Sequence, residues 1–135
     1  MTGAASEGGI GLCIAYMPAR HGVKVACTDI DSPGAQAAAD EVSGLVVTTY
    51  IADDASIDAM VTSLIDHFGW LDIRINDAVM SHFDHAVDMP IEQFDKVFAV
   101  NVRGTFVCCR AAARVILDAG SGTGGGGFMI GKARF

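Results

Sequence analysis

The spacing of apolar positions changes several times along this chain, and the changes predict alternating helices and strands. In "LCIAYMPARHG" (12–22), Leu12, Ile14, Ala15 and Ala19 recur at helical spacing and Gly22 supplies a stop. "VKVACTDID" (23–31) is a short β-branched run ending in acids, the pattern of a strand. Ser32 and Pro33 suit the start of a second helix over 34–43. "LVVTTYI" (45–51) has the continuous apolar character of a strand buried on both faces. Helical spacing returns over 56–69, where Ile57, Met60, Val61, Leu64, Ile65 and Phe68 form a stripe and Asp53, Asp54 or Ser56 can cap the first turn. "LDIRI" (71–75) reads as the next strand. Beyond a polar loop, Asp88-Met89-Pro90 opens a long helix over 91–117, with Phe94, Val97, Phe98, Val102, Phe106, Cys109 and Ile116 on its apolar side. "GSGTGGGG" (120–127) reads as a flexible break and "FMI" (128–130) as the start of one more strand.

Strands that alternate with helices, with no tight hairpin between them, imply βαβ units and a parallel sheet. The fold class is therefore α/β. Open parallel sheets bind ligands beyond the carboxyl ends of their strands, which directs attention to residues 3–11, 29–33, 51–55, 76–82 and the stretch after residue 130. Residues 1–119 form one partial nucleotide-binding domain in this reading, and 120–135 a glycine-rich tail with a short strand.

Composition narrows the function. The 135 residues carry a formal charge of −7, which argues against an electrostatic grip on nucleic acid or an anionic membrane. Hydrophobic residues make up 51%, enough for a core. No run approaches the ~20 apolar residues of a membrane span. Cys13, Cys27, Cys108 and Cys109 show neither a C-x-x-C pair nor zinc spacing. Three of them lie in apolar runs, where a thiol acts as a small buried hydrophobe, and the expected setting is a reducing cytoplasm.

The chemistry-bearing stretch comes first. "MTGAASEGGIG" places Gly3, Gly9 and Gly11 ahead of a helix, with Ser6 adding a hydroxyl. Backbone N–H groups at a helix N-terminus attract phosphate, and glycine removes the Cβ that would keep a pyrophosphate away. A flexible N-terminus would look similar. Asp29 gives the binding reading weight, because it closes the second strand of such a unit 18 residues after Gly11. An acid there can bond both ribose hydroxyls of an adenosine and repel a 2′-phosphate, which favours NAD over NADP.

"TGAAS…GIG", "ACTDID", "FGWLDIRINDA" and "FDKVFAVNVRGTFVCCRAAA" together resemble the short-chain dehydrogenase/reductase family, from Thr2 to about Gly127. The resemblance implies a Rossmann-like parallel sheet with flanking helices. It implies hydride transfer between a nicotinamide cofactor and a small-molecule carbonyl or secondary alcohol. Gly3, Gly9, Ile10 and Gly11 match the family's pyrophosphate loop, Asp29 with Ile30 the segment that selects NAD, and Asn76 and Ala78 the segment beside the cofactor ribose. Asn101 matches the asparagine that holds a water in the proton relay; as a polar residue near an apolar stripe, it also fits a satisfied core amide. The helix 91–117 matches one that pairs subunits in the family, which makes a homo-oligomer the expected partner. Packing of the same face on the chain's own sheet is the competing expectation, and the favoured one.

The departures from the family pattern are specific. Gly3 and Gly9 are separated by five residues, as though Glu7-Gly8 were inserted. Tyr50 stands where an aspartate contacts the adenine, with Asp53 as a substitute. "NDAV" (76–79) puts Asp77 and Val79 where the family has asparagine and glycine. Pro18 falls inside the first helix, where an interior proline costs ~3 kcal/mol. The family's catalytic serine and Tyr-x-x-x-Lys are missing: four residues beyond Tyr16 and Tyr50 stand Arg20 and Asp54, and Lys132 follows no tyrosine. The usual first strand and the C-terminal half are missing too. The chain reads as a fragment that binds NAD weakly or not at all and shows no turnover. "GFMIG" is one candidate to fill the place of the first strand. A catalytically dead binding or dimerisation module is the alternative function. A third idea, a metal held by His82 and His85 with Asp84 and Asp88, competes with ordinary turn and capping roles for the same aspartates.

Overall fold

The apolar runs become short strands at the centre, and the stretches of helical spacing become helices on the two faces. The computed structural model describes residues 1–5, 9–123 and 128–131. Its elements are α1 (Ile10–Ala19), β1 (Ala26–Asp29), α2 (Ser32–Val42), β2 (Leu45–Thr48), α3 (Asp54–Phe68), β3 (Ile73–Asn76), α4 (Ile91–Phe98), a wider π-helical turn (Ala99–Gly104), α5 (Thr105–Thr123) and β4 (Phe128–Gly131). β1 pairs with β2 in parallel, Ala26 opposite Leu45, and β3 pairs with β4 in parallel, Ile73 opposite Phe128.

Two residues join these pairs. Thr2 makes parallel bridges to Thr28 of β1 and to Asn76 of β3. Its N–H donates to Ile75 O (3.1 Å) and its carbonyl accepts from Asp77 N–H (3.2 Å). On the other side Thr28 N–H donates to Met1 O (2.9 Å) and Gly3 N–H to Thr28 O (3.0 Å). Met1-Thr2 therefore holds the central position of a parallel arrangement β2-β1-(1–2)-β3-β4. This corrects the expectation that "GFMIG" fills that place. β3 uses one edge for Thr2 and the other for β4, so residues 128–131 lie on its far side.

The strands are shorter than the sequence pattern predicts, and local hydrogen bonds say why. Val23 N–H donates to Pro18 O, which ties that residue into the turn after α1. Tyr50 N–H donates to Ser56 Oγ and Asp53 N–H to Tyr50 O, turning the chain after β2. Asp53 caps α3 as expected, its Oδ2 accepting from Ser56 N–H at 2.9 Å. Pro18 sits in the last turn of α1, so the interruption it causes falls where the helix already ends. Of the expected break over 120–127, residues 120–123 belong to α5, and 124–127 lie outside the described residues.

Side chains of α3 and α5 pack on one face of the sheet through Ile57, Met60, Leu64, Val107, Cys108 and Ala111. The opposite face is closed by small residues, Ala15 of α1 and Ala38 and Ala39 of α2, against Cys27 and Ala4. Layers of helix, sheet and helix result. The 91–117 helix is oriented opposite to the favoured expectation. Phe94, Phe98, Val102 and Phe106 are 46–62% exposed, and the helix meets the sheet through Val100, Gly104, Val107 and Cys108 instead. A Cβ on Gly104 would come within 2.5 Å of Ile51 O, so the approach requires a residue without a side chain. Arg74 lies 2% exposed inside the larger cluster. Its Nε–H donates to Asn76 Oδ1 (2.9 Å) and Nη1–H to Met60 Sδ (3.4 Å), and it meets no carboxylate among the described residues.

The amino group of Met1 carries a pH dependence. It donates to Ala26 O at 2.6 Å. Burial first, and the Arg74 charge second, bring its pKa from the ordinary 8.0 to about 5. The folded state thus disfavours the ammonium, and the unfolded chain binds the proton over the interval between those values. Stability contributed through this group is low at pH 5 and rises toward pH 8, by about 4 kcal/mol at most. Urea titrations of the free and the Nα-acetylated 135-residue chain should show this rise in the free chain and its loss on acetylation. Parallel profiles for the two would contradict it.

Candidate functional site

A cleft of about 720 Å³ opens at the carboxyl ends of β1 and β3. Its floor begins with Gly3, which leaves the central strand at φ +80°, a conformation that side chains rarely adopt. A Cβ there would stand 2.5 Å from Ala78 N, so the glycine is required both by its torsion and by the chain beside it. Gly11, in the first turn of α1, packs so closely on the loop that a Cβ would overlap the carbonyl oxygen of Gly3. These two contacts bring the N-terminus of α1 to the mouth of the sheet. Gly9, Ile10 and Gly11 line the cleft, and among the described residues no side chain caps α1. Its first N–H groups therefore face the cleft without a protein partner in the helix, as an anion site requires.

Asp29 stands across from this turn. Its Oδ2 accepts from Ala5 N–H and its Oδ1 from Asp31 N–H, both at 3.1 Å. The carboxylate fixes the glycine loop to the end of β1 and keeps further lone pairs for a ligand. Asp29, Asp31 and Asp77 all line the cleft, and no lysine or arginine does among the described residues. A ligand phosphate must therefore be met by backbone N–H groups, and an extra phosphate near Asp29 would be repelled. Ile30 and Tyr50, 64% and 45% exposed, supply apolar surface at this end.

The candidate residues separate into three groups. Gly3, Gly9, Ile10, Gly11, Asp29, Ile30 and Ala78 come together in the cleft. Asn76 lies beneath it: the side chain is 3% exposed, accepts from Arg74 and donates Nδ2–H to Cys109 Sγ at 3.2 Å. Strand alternation turns it into the core, leaving the following backbone, Asp77-Ala78, to line the site. Ser6 lies outside the described residues, as do Glu7 and Gly8. Asn101, within the π-helical turn, clamps the backbone of Met80. Its Oδ1 accepts from Met80 N–H (2.9 Å) and its Nδ2–H donates to Met80 O (2.8 Å). Wider turns of this kind recur at functional sites.

Thr49 lies outside the loops that the sequence pointed to, and Ile51 and Met80 lie within two of them, 51–55 and 76–82, without having been named. Met80, Thr49 and Ile51 reach the cleft only because the loops after β2 and β3 fold over it, and no motif marks them. Val79 lines it too, so its branched side chain stands at the cleft where the family has glycine. Asp53, the proposed substitute for an adenine-contacting acid, is engaged in capping α3 and does not line the cleft. Among the described residues no group of three or more His, Cys, Asp or Glu is gathered that could hold a metal ion; Asp84 Oδ1 instead accepts from His85 N–H.

The family profile described as Enoyl-(Acyl carrier protein) reductase matches residues 3–125. This chain belongs to the short-chain dehydrogenase/reductase family. It is 36% identical over 119 residues to sorbitol dehydrogenase of Cereibacter sphaeroides, covering 87% of this chain and 46% of that one. It is 34% identical over 127 residues to D-threitol dehydrogenase of Mycolicibacterium smegmatis, covering 90% and 48%. The crystal structure of 3-ketoacyl-(acyl-carrier-protein) reductase from Brucella melitensis, complexed with NADH, superposes with a TM-score of 0.90 at 32% identity, covering 96% of this chain and 53% of that one. The chain thus spans about half the length of these short-chain dehydrogenase/reductase relatives, and within that span the Rossmann-like arrangement is retained.

Asn101 supplies two hydrogen bonds that no neighbouring side chain replaces. Asn101→Ala should lower the unfolding free energy by about 1–3 kcal/mol by leaving Met80 unpartnered. It should also speed amide exchange at Met80. Urea titration with hydrogen exchange checks this, and unchanged protection at Met80 would contradict the clamp.

Proposed function

We propose that this chain is the cofactor-binding part of an NAD-preferring short-chain dehydrogenase/reductase. The observation that carries the reading is the juxtaposition of the Gly3–Gly11 contact, which presents the uncapped start of α1, with the Asp29 carboxylate across the same cleft. Gly9, Ile10 and Gly11 would receive the pyrophosphate on backbone N–H groups, Asp29 the adenosine ribose hydroxyls, and Ala78 the chain beside the second ribose. The cleft volume falls within the range of small-molecule sites. When bound, NAD would accept a hydride from a secondary alcohol, and its reduced form would donate one to a carbonyl. The chain's residues bind and orient it, and Asn101 fixes the loop over its nicotinamide end. The sequence has no Tyr-x-x-x-Lys, so the 135-residue polypeptide has no group to move the substrate proton and should not turn over. Its four cysteines are free thiols, which accords with a reducing, cytoplasmic setting. No helix of the described residues is long and apolar enough to cross a membrane.

NADH fluorescence titration tests this reading. Weak but saturable binding is expected, with NADPH about tenfold weaker, and Asp29→Asn should bring the two cofactors closer together. Equal binding of NADPH by the unaltered chain would overturn the NAD preference, and no saturable signal from either would remove the cofactor reading.

A second reading is favoured by the exposed stripe Phe94, Phe98, Val102 and Phe106, with Phe94 and Phe98 ring centroids 4.3 Å apart. A continuous aromatic surface of this kind suits association of two copies. Sedimentation should show a concentration-dependent dimer, lost in the Phe98→Glu, Phe106→Glu double variant. Identical monomeric sedimentation of both proteins would exclude it.

A further inference from the structure

The chain leaving β2 borders the outer end of the candidate cleft. β1 and β2 run side by side in parallel, Asp29 opposite Thr48, and Thr49 N–H donates to Asp29 O at 2.8 Å. Neighbouring strands lie about 4.8 Å apart, so residues 49–51 stand one strand spacing beyond Asp29, on the side away from Gly3. A dinucleotide with its pyrophosphate at α1 and its ribose at Asp29 carries its purine in that direction. Ile30, Tyr50 and Ile51 line the cleft there. The two isoleucines offer apolar surface, which meets the flat face of a purine whatever its ring substituents.

Discrimination among purines has to come from a polar group at the edge of the ring, and the nearest such groups are already committed. Tyr50 N–H donates to Ser56 Oγ (2.9 Å), and Tyr50 O accepts from Asp53 N–H (3.1 Å). Asp53 Oδ2 accepts from Ser56 N–H at 2.9 Å. Thr49, 3% exposed, donates its Oγ1–H to Val47 O at 3.2 Å. The carboxylate of Asp31 lies over the first turn of α2, where a Cβ on Gly34 would come within 2.6 Å of its Oδ2. Tyr50 is different. It is 45% exposed, and its hydroxyl has no hydrogen-bond partner among the described residues.

A carboxylate only accepts hydrogen bonds, whereas a phenol either donates or accepts. The 6-amino group of adenine donates, and the 6-oxo group of guanine or hypoxanthine accepts. A carboxylate at this place would repel a 6-oxo purine, and a phenol has no means of doing so. We propose that Tyr50 meets the edge of the base and makes the site tolerant of 6-oxo purines, so that the chain binds nicotinamide hypoxanthine dinucleotide about as well as NAD. This rests on the cofactor reading of the cleft and adds the base to it. Selectivity is then divided by position: Asp29 restricts the sugar, and Tyr50, one strand spacing outward, leaves the purine open.

Fluorescence titration of the 135-residue chain with NADH and with reduced nicotinamide hypoxanthine dinucleotide tests this, since both carry the same fluorescent ring. Their dissociation constants should agree within about threefold. Tyr50→Asp should weaken both, by adding charge beside Asp29, and should weaken the hypoxanthine form at least about tenfold more. Tyr50→Phe should weaken both by a similar factor and leave them matched. The ratio of two ligands on one variant does not depend on how much of that variant is folded, so lost stability cannot imitate the result. Saturable NADH with a hypoxanthine form more than about threefold weaker on the unaltered chain would overturn the proposal and leave the cofactor reading standing. So would a ratio that Tyr50→Asp does not move. No saturable signal from either dinucleotide would overturn both.

Discussion

The structure depends on one residue's backbone. Thr2 is hydrogen-bonded to β3 through its own N–H and carbonyl, while Met1 O and Gly3 N–H bond Thr28 of β1 on the other side. Without that crossing, β2-β1 and β3-β4 would be separate two-stranded ribbons, joined only through the helices packed over them. Each of these hydrogen bonds contributes modestly, about 1 kcal/mol, but each leaves a buried group unpaired if lost. Thr28 reinforces the crossing, its Oγ1–H directed at Met1 O and Met60 Sδ. The candidate cleft inherits its geometry from the same place, because Gly3 turns immediately after Thr2 and positions α1.

A buried polar chain runs beneath the cleft from Thr28 through Met60 and Arg74 to Asn76 and Cys109. Three of its contacts end on sulfur, a weak acceptor. Burial lowers the pKa of Arg74, and it raises those of the Cys27 and Cys108 thiols against the opposing influence of the nearby cations. The thiols therefore do not become counter-ions, and the guanidinium remains uncompensated. The position of Asn76 follows: its amide is committed to this network instead of the ligand.

The helical spacing and strand order were legible because each depends on local alternation. The Asp53 cap and the meeting of the glycine loop with Asp29 at one cleft were legible as well, since capping and close backbone approach demand particular residue types at fixed offsets. Other features depend on relations that hydropathy does not encode. A two-residue stretch of strand at Met1-Thr2 is too short to show a pattern. The packed face of 91–117 was misread because large apolar side chains dominate a hydrophobic stripe, whereas close packing on a sheet selects small ones. Gly104, Cys108 and Ala112 carry little hydropathic weight, yet Cys108 and Ala112 are fully buried and Gly104 touches the chain at Ile51. Arg74 was invisible for the converse reason, since a charge within a strand pattern ordinarily marks a solvent face.

The two sides of the 91–117 helix connect the readings of this chain. Val100 lines the cleft and neighbouring Asn101 clamps Met80 at its edge, while Phe98 and Val102, each two positions from Val100, remain exposed on the other side. The ion pair Arg103–Asp54, at 2.7 Å, ties the same turn to α3, but both groups are about half exposed and it adds little rigidity. Asn101, buried Val100 and the Gly104–Ile51 contact hold the turn within one copy, and a second copy docked on the exposed stripe would hold it from the other side. Association through Phe98, Val102 and Phe106 would immobilise the segment that carries Asn101, reduce the conformational freedom of the loop at Met80, and lower the entropy lost when a ligand is enclosed beneath it. The proposed subunit pairing and the proposed cofactor binding would then act on the same turn from opposite faces.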